Sequence, residues 1–384
     1  MSSIGVGLIG TGFMGKAHAL AFAAAAATFD LDRRPRLAIL ADADAERARI
    51  SAGRWGFARS TGDWRALVAD PEVEIVAIAT PNYLHAEMAL AALDAGKAVY
   101  CEKPMATGLA EARRMAERAQ GRPTLLGYNY LRGPAVGLMK AMIAAGELGE
   151  VVAFAGRFAE DYMADPETLH SWRCVRALAG SGALGDLGSH LIGLAHHLVG
   201  DVEAVAGEVS TVIEARPLPG GGTARVENDD QVHALLKFAG GARGVVDISR
   251  VAWGHKNHLA VEITGTRGTL VFDQERLNEL RLYRPGQAPA TEGFTTVLAG
   301  PRHPPYGAFS PAPGHQLGYG DLKTAEVAHL LHGLAGREPL TPDFAAGFAI
   351  ERVAAAIERA SKEGRWVAIE RDLNRPEFAG GSNS

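Results

Sequence analysis

Residues 4–15 read Ile-Gly-Val-Gly-Leu-Ile-Gly-Thr-Gly-Phe-Met-Gly. Ile4–Ile9 is an apolar, strand-like run that passes directly into Gly10-Thr11-Gly12-Phe13-Met14-Gly15, and an Ala-rich helical stretch, Met14–Ala27, follows. A G-x-G-x-x-G pattern alone is weak in a chain with 46 glycines. Between a strand and a helix it marks a dinucleotide-binding turn. Gly10 permits the tight turn, Gly12 lets backbone approach a pyrophosphate, and Gly15 allows close helix–strand packing, while the helix N-terminus offers free N–H groups to the anion.

The second strand, Leu37–Ala41, ends at Asp42. This acid stands farther beyond Gly15 than the usual ~20 residues, which a long first helix and the loop 30–35 accommodate. An acid there suits ribose hydroxyls and repels a 2′-phosphate, and neither Ala43 nor Asp44 supplies a cation, so NAD is expected over NADP. The alternative is that Asp42 caps the next helix.

Further strands are expected at Glu74–Ala79, Ala98–Cys101 and Thr124–Leu126, with helices Ala45–Trp55, Leu84–Ala95 and Ala110–Ala119 between and after them. This alternation predicts a parallel sheet covered on both faces. After Gly127 the rhythm changes. A helix, Pro134–Ala145, and a strand, Val151–Ala159, lead to runs at 204–213, 231–238, 244–250, 260–264, 269–272 and 279–283 with short links, as in an antiparallel sheet. Residues 285–320 read as a long Pro/Gly-rich loop, and two helices near 321–335 and 344–363 finish the chain. The expected class is α/β: a Rossmann domain over 1–127, then an α+β domain over 128–384 with an open, mainly antiparallel sheet. The C-terminal helix has the option of packing back on the first domain.

A length of 384 residues fits two domains at roughly 150 residues each. With 47% hydrophobic and 22% charged residues, the chain is neither disordered nor collagen-like. A net charge of −5 gives no sign of a nucleic-acid surface. Cys101 and Cys174 cannot build a disulfide framework and suit a reducing compartment. There is no apolar run of about 18 residues to cross a membrane, and no basic segment precedes Ala23–Ala27 as in a signal peptide, so a cytoplasmic location is expected.

In open parallel sheets, ligands sit beyond the carboxyl ends of the strands. Thr80-Pro81-Asn82, Glu102-Lys103-Pro104 and Tyr128-Asn129-Tyr130 fall there, as does the glycine turn. Lys103 at that edge is a candidate to act beside a nicotinamide, and its bond to Pro104 is a candidate cis peptide. A second signal is Gly185-Asp186-Leu187-Gly188-Ser189-His190, opening an apparent helix through Val199. Asp186 and His190, four apart, share one helical face, unless they are merely a cap and a core histidine. His196 and His197 lie on the same helix without further ligands, and no metal is expected.

Three segments, GLIGTGFMG, ATPNYLHAEMALAALDAGKAVYCEKP and GALGDLGSHLIGLAHHLVG, resemble the glucose–fructose oxidoreductase/inositol dehydrogenase (Gfo/Idh/MocA) family. The resemblance spans nearly the whole chain and is greatest toward the levoglucosan- and inositol-dehydrogenase branches. It implies that Lys103, Asp186 and His190 occupy the catalytic positions, and that His170-Ser171-Trp172-Arg173 places a Trp-Arg pair beside the cofactor. The expected cofactor set is Gly10, Thr11, Gly12, Phe13, Met14, Asp42, Thr80, Pro81, Asn82, His85, Glu102, Lys103, Asn129, Trp172 and Arg173. Tyr130 joins Lys103, Asp186 and His190 on the substrate.

Oxidising a secondary alcohol requires a base near neutrality, which suits His190, and a cation to stabilise alkoxide charge, which suits Lys103. Lys103 as the base is the alternative. Without an Arg cluster beside these motifs, a neutral cyclic polyol, sugar or anhydrosugar is expected, with Arg132, Arg157 and Arg173 available to an anion. Tyr128, Tyr130, Tyr162, Trp172 and Tyr306 are candidates for a sugar-ring wall. An NAD-retaining glycosidase or lyase acting by transient C3 oxidation, and a non-catalytic nucleotide sensor, are the competing readings. A one-sided sheet must cover its apolar face, so a homodimer or homotetramer is expected.

Overall fold

The computed structural model describes residues 2–370. They divide into two compact units: residues 2–132 with 317–349, and residues 133–316 with 350–370. Relative to a cut after Gly127, the first unit also takes in residues 128–132 and the segment 317–349.

The first unit is built on β1 (Ser2–Ile9), α1 (Phe13–Thr28), β2 (Arg33–Ala41), α2 (Ala45–Trp55), β3 (Arg59–Thr61), α3 (Trp64–Ala69), β4 (Ile75–Ile78), α4 (His85–Asp94), β5 (Ala98–Cys101), α5 (Leu109–Arg118) and β6 (Thr124–Leu126). The six strands form a parallel sheet in the order β3-β2-β1-β4-β5-β6. From Ile4 to Ile9, β1 is buried without interruption, as covering on both faces requires. The short β3 and α3 carry too little periodicity to read from sequence. Val6, Leu8, Phe22, Leu40, Ile75, Tyr100 and Leu125 share one core with Val327, Leu330 and Leu331 from the distant segment. Each such side chain contributes about 1.5–3 kcal/mol on burial.

The second unit begins with α6 (Pro134–Ala144) and β7 (Val151–Ala159), followed by α7 (Arg176–Ala179) and α8 (Ser189–Leu198). Then come β8 (Val202–Ser210), β9 (Ala215–Pro217), β10 (Thr223–Arg225), β11 (Gln231–Phe238), β12 (Arg243–Ser249), β13 (His258–Gly265), β14 (Gly268–Asp273), β15 (Glu279–Tyr283), β16 (Thr295–Leu298) and α9 (Tyr306–Phe309). After α10 (Tyr319–Leu334) and α11 (Phe344–Glu363), β17 (Val367–Ala368) closes a nine-stranded sheet of order β16-β15-β14-β13-β7-β12-β11-β8-β17. Every neighbouring pair is antiparallel except β7 with β12. β11 alternates buried and exposed residues, so one face is core, and α6 and α8 pack on this sheet.

Residues 285–320 are not one structureless loop: β16 adds an edge strand and α9 forms a short helix within them. Tyr306, expected in a sugar wall, is fully buried, and its hydroxyl donates to the His315 carbonyl.

Gly15 tests the close packing of the first turn. A Cβ there would lie 2.1 Å from the Gly10 carbonyl oxygen. Helix propensity favours alanine over glycine by about 1 kcal/mol. Gly15→Ala is nevertheless expected to destabilise the protein by about 1–3 kcal/mol through overpacking. Denaturant unfolding that showed a stabilised variant would refute the close-contact reading.

Candidate functional site

In the first unit the candidate site residues lie along the carboxyl edge of the parallel sheet. Gly10 has φ 107°, and a Cβ on it would meet the Ala79 carbonyl at 2.4 Å, so only glycine lets β1 turn against the end of β4. Gly12, the residue before α1, has nothing within 4 Å of a Cβ position, and no side chain caps the helix. Its glycine therefore serves an open approach rather than internal packing. With the uncapped N-terminus of a 16-residue helix, this fits the pyrophosphate of a dinucleotide. Phe13 is exposed and stacks on Tyr319, whose hydroxyl lies 3.1 Å from Met14 Sδ.

Asp42 lies beside this turn. Oδ2 accepts from the Thr11 amide (3.0 Å) and hydroxyl (2.5 Å), and Oδ1 accepts from the Asp44 amide (3.0 Å) and Arg47 Nη2 (2.6 Å). Partial burial pushes the Asp42 carboxyl up, but the Thr11 hydroxyl and Arg47 guanidinium bring it below its ordinary value. The cap of α2 is Asp44, which accepts from the Arg47 amide, so capping is not the task of Asp42. Arg47, in the first turn of α2, supplies a cation to Asp42 from beyond the two residues that directly follow it.

At the ends of β4 and β5, His85 is fully buried. Its Nδ1 lies 2.9 Å from the Pro104 carbonyl and Nε2 lies 3.0 Å from the Thr80 carbonyl. Burial lowers its pKa. Expected as a cofactor contact, His85 instead ties the Thr80-Pro81-Asn82 turn to the Lys103–Pro104 turn. The Lys103–Pro104 peptide is cis, and Lys103 is partly accessible.

Glu102, also expected to touch cofactor, is buried in an ion network. Its Oε1 lies 2.6 Å from Lys323 Nζ and 2.6 Å from His18 Nε2. Lys323 Nζ also lies 2.8 Å from Glu326 Oε2 and 3.2 Å from the Tyr100 hydroxyl, which donates to Glu326. Burial alone would raise the Glu102 carboxyl, but the Lys323 ammonium and His18 hold it far below the ordinary carboxylate range. Burial, and then the Lys323 charge, lower the His18 pKa. A Cβ on Gly127 would fall 2.8 Å from the Glu102 carboxylate. Sequence reading missed Lys323 and Glu326 because nothing local marks their partner, more than two hundred residues earlier. Asn129 is buried with no hydrogen-bond partner for Nδ2, a donor suited to an incoming ligand. Tyr130 packs edge-on against Tyr319 at 6.4 Å.

The second unit carries its own group of candidate side chains. The helix carrying Asp186 and His190 begins at Leu184, earlier than expected, with a wider π-type turn over Leu184–Gly188 that runs into α8. Such turns are frequent at functional sites. The buried carboxylate of Asp229 anchors its start, accepting from the Gly182 (2.6 Å) and Leu184 (2.7 Å) amides. Burial raises the Asp229 pKa. Beside it, Arg250 Nε donates to Asp230 Oδ1 at 2.8 Å and Nη2 donates to Asn228 Oδ1 at 2.9 Å. Asn228-Asp229-Asp230 was not singled out in the sequence; an uninterrupted polar triplet before a strand was the available signal.

Asp186 Oδ2 accepts from the Tyr162 hydroxyl at 2.8 Å and lies 3.4 Å from Arg173 Nη1. Arg173 stacks over the Trp172 ring at 4.7 Å. The Trp-Arg pair thus stands with Asp186. His190 is buried, its ring 5.9 Å from Phe158.

Comparisons with known proteins identify the family. The profile described as "Oxidoreductase family, NAD-binding Rossmann fold" matches residues 4–130, and that of the "GFO/IDH/MocA C-terminal domain" matches residues 136–271. Levoglucosan dehydrogenase of Pseudarthrobacter phenanthrenivorans is 40% identical, the match covering 96% of this chain and 99% of that protein. A solved structure of levoglucosan dehydrogenase in complex with NADH and levoglucosan superposes with a TM-score of 0.93 at 40% identity, over 96% of this chain and 100% of that one. Inositol 2-dehydrogenase of Acidothermus cellulolyticus is 29% identical over 77% of this chain and 81% of that protein.

Two outcomes are expected from the buried network. Lys323→Met leaves the Glu102 and Glu326 carboxylates buried without their cation and should cost about 3–5 kcal/mol, read by denaturant unfolding. His18, lowered in the folded state, takes up its proton more readily when unfolded, so its stabilising contribution is present above about pH 6.5 and lost as pH falls through the range below. His18→Gln should flatten stability against pH in that window; an unchanged slope would exclude this role.

Proposed function

Since the chain belongs to the GFO/IDH/MocA family of NAD-binding oxidoreductases, we propose that it oxidises a secondary hydroxyl of a cyclic polyol, sugar or anhydrosugar, a levoglucosan- or inositol-like substrate, with NAD. The observation that carries the reading is the near full-length 40% identity to levoglucosan dehydrogenase, with Lys103, Asp186 and His190 all present.

NAD supplies the hydride acceptor. Gly10, Thr11, Gly12, Phe13 and Met14 would hold its pyrophosphate side, and Asp42, beside that turn, would accept from the adenosine ribose hydroxyls. Thr80, Pro81, Asn82 and Asn129 line the same edge, while His85 and Glu102 act as positioning residues. His190 takes the hydroxyl proton, which its near-neutral intrinsic basicity suits. The Lys103 ammonium donates to the reacting oxygen and stabilises alkoxide charge as it develops. Asp186 orients a neighbouring hydroxyl, with Tyr162 and Arg173 holding its carboxylate; Tyr130 contributes an apolar wall. Residues 2–370 contain no helix long and apolar enough to span a membrane.

On the exposed face of the second sheet, Leu235 pairs with Val245, which in turn pairs with Ala155. This apolar row supports docking of a second copy as a homodimer or homotetramer.

Incubation with levoglucosan, inositols and aldoses should generate NADH with at least one cyclic polyol and little NADPH. Net NADH release separates dehydrogenation from a retained-cofactor elimination; none with any cyclic polyol would overturn the proposal. His190→Ala and Lys103→Ala should each lower kcat by about 10²–10⁴-fold. A change confined to KM would remove that residue from the chemistry. Leu235→Glu with Val245→Glu should give a monomeric mass, which an already monomeric native protein would make moot by refuting the assembly.

A further inference from the structure

Outside the residues assigned above, one group of side chains in the second unit has the chemistry of a metal site. His255, His258 and Glu275 each place a ligating atom within 4.8 Å of the other two. His255 lies in the turn between β12 and β13, His258 opens β13, and Glu275 follows β14, so two adjacent strand ends and one turn converge. The imidazoles of His255 and His258 lie nearly parallel, their centroids 4.7 Å apart.

The carboxylate is held from behind. Glu275 Oε1 accepts from the Lys256 (3.2 Å) and Asn257 (3.1 Å) amides, which leaves Oε2 directed toward His258 Nδ1 at 3.8 Å. Asp273 Oδ1 lies 3.5 Å from the same nitrogen and accepts from the Glu275 amide at 2.9 Å. These His–carboxylate separations exceed a hydrogen bond. They approach the ~3.3 Å between two ligands in a tetrahedron with metal–ligand bonds of about 2.0–2.1 Å. Lys256, between the ligands in sequence, has its ammonium engaged 2.6 Å from Asp161.

We propose that His255, His258 and Glu275 bind one divalent transition-metal ion such as Zn²⁺, with water or Asp273 in the fourth position. Imidazole with carboxylate suits zinc, cobalt or nickel over calcium or magnesium. The site revises the expectation that no metal is bound. It pins the turn at residues 251–257 to the end of β14. That turn also reaches Asp161, which accepts from the Gly254 amide at 3.1 Å. The ion therefore has a structural task separate from the hydroxyl oxidation.

The test is a Co²⁺ titration of the chelator-stripped full-length protein, followed by visible ligand-field absorption, with Zn²⁺ as competitor. One equivalent should bind and be displaced by Zn²⁺, and Zn²⁺ should raise the melting temperature. His255→Ala and His258→Ala should each weaken binding by at least ~10-fold and abolish the thermal shift. Glu275→Gln keeps an acceptor for the two amides, so it should fold normally and still weaken binding. His233→Ala, at an exposed histidine near Asp247, should bind as the unaltered protein does. No stoichiometric binding, or equal binding by folded His255→Ala and His258→Ala variants, would overturn the site.

Discussion

The buried ammonium of Lys323, shared by the carboxylates of Glu102 and Glu326, is the interaction on which the first unit depends. Three charges out of water, one positive and two negative, are tolerable only because the ammonium contacts both carboxylates and because Tyr100 and His18 occupy further hydrogen-bonding positions. Mutual attraction reverses what burial would do to Lys323 and Glu102: the amine is held far above its ordinary value and the acid far below. The consequence is mechanical. Helix α10, nearly two hundred residues beyond the parallel sheet in sequence, is fixed to the last residue before Lys103.

Around that anchor, the edge of the sheet is assembled from close contacts rather than long side chains. Gly10 and Gly15 bring β1, β4 and α1 together at distances that exclude a Cβ, while Gly12 opens the approach to the helix end. His85 joins two strand-end turns through their carbonyls. The group expected to act on substrate, Lys103, is thereby carried on backbone held from both sides, which limits the reorganisation required during reaction.

The second unit reaches a comparable result with different parts. A buried aspartate, Asp229, fixes the amides at the start of the helix, and Arg250 neutralises Asp230 beside it. Asp186 is then held by Tyr162 and Arg173. These two donors hold the Asp186 carboxylate from the side of Tyr162 and Arg173 and so fix its orientation.

Local rules made much of this legible. The Gly10–Gly15 turn, the strands ending at Asp42, Thr80 and Glu102, and the alternating pattern of β11 are written in spacing that backbone geometry enforces within a few residues. The helix of Asp186 and His190 was visible, but its wider first turn was not, since no short-range pattern distinguishes π from α winding. Edge elements such as β3, β16 and β17 are too short to show a period. The largest departures were His85 and Glu102, whose positions were apparent while their partners were not. Which carboxylate meets Lys323, and which carbonyls receive an imidazole, depends on segments distant in sequence becoming neighbours. Amino-acid order thus determined where chemistry-bearing side chains emerge; tertiary packing alone decided which of them face solvent and which are consumed in holding the edge together, because buried charge must find a partner wherever the chain supplies one.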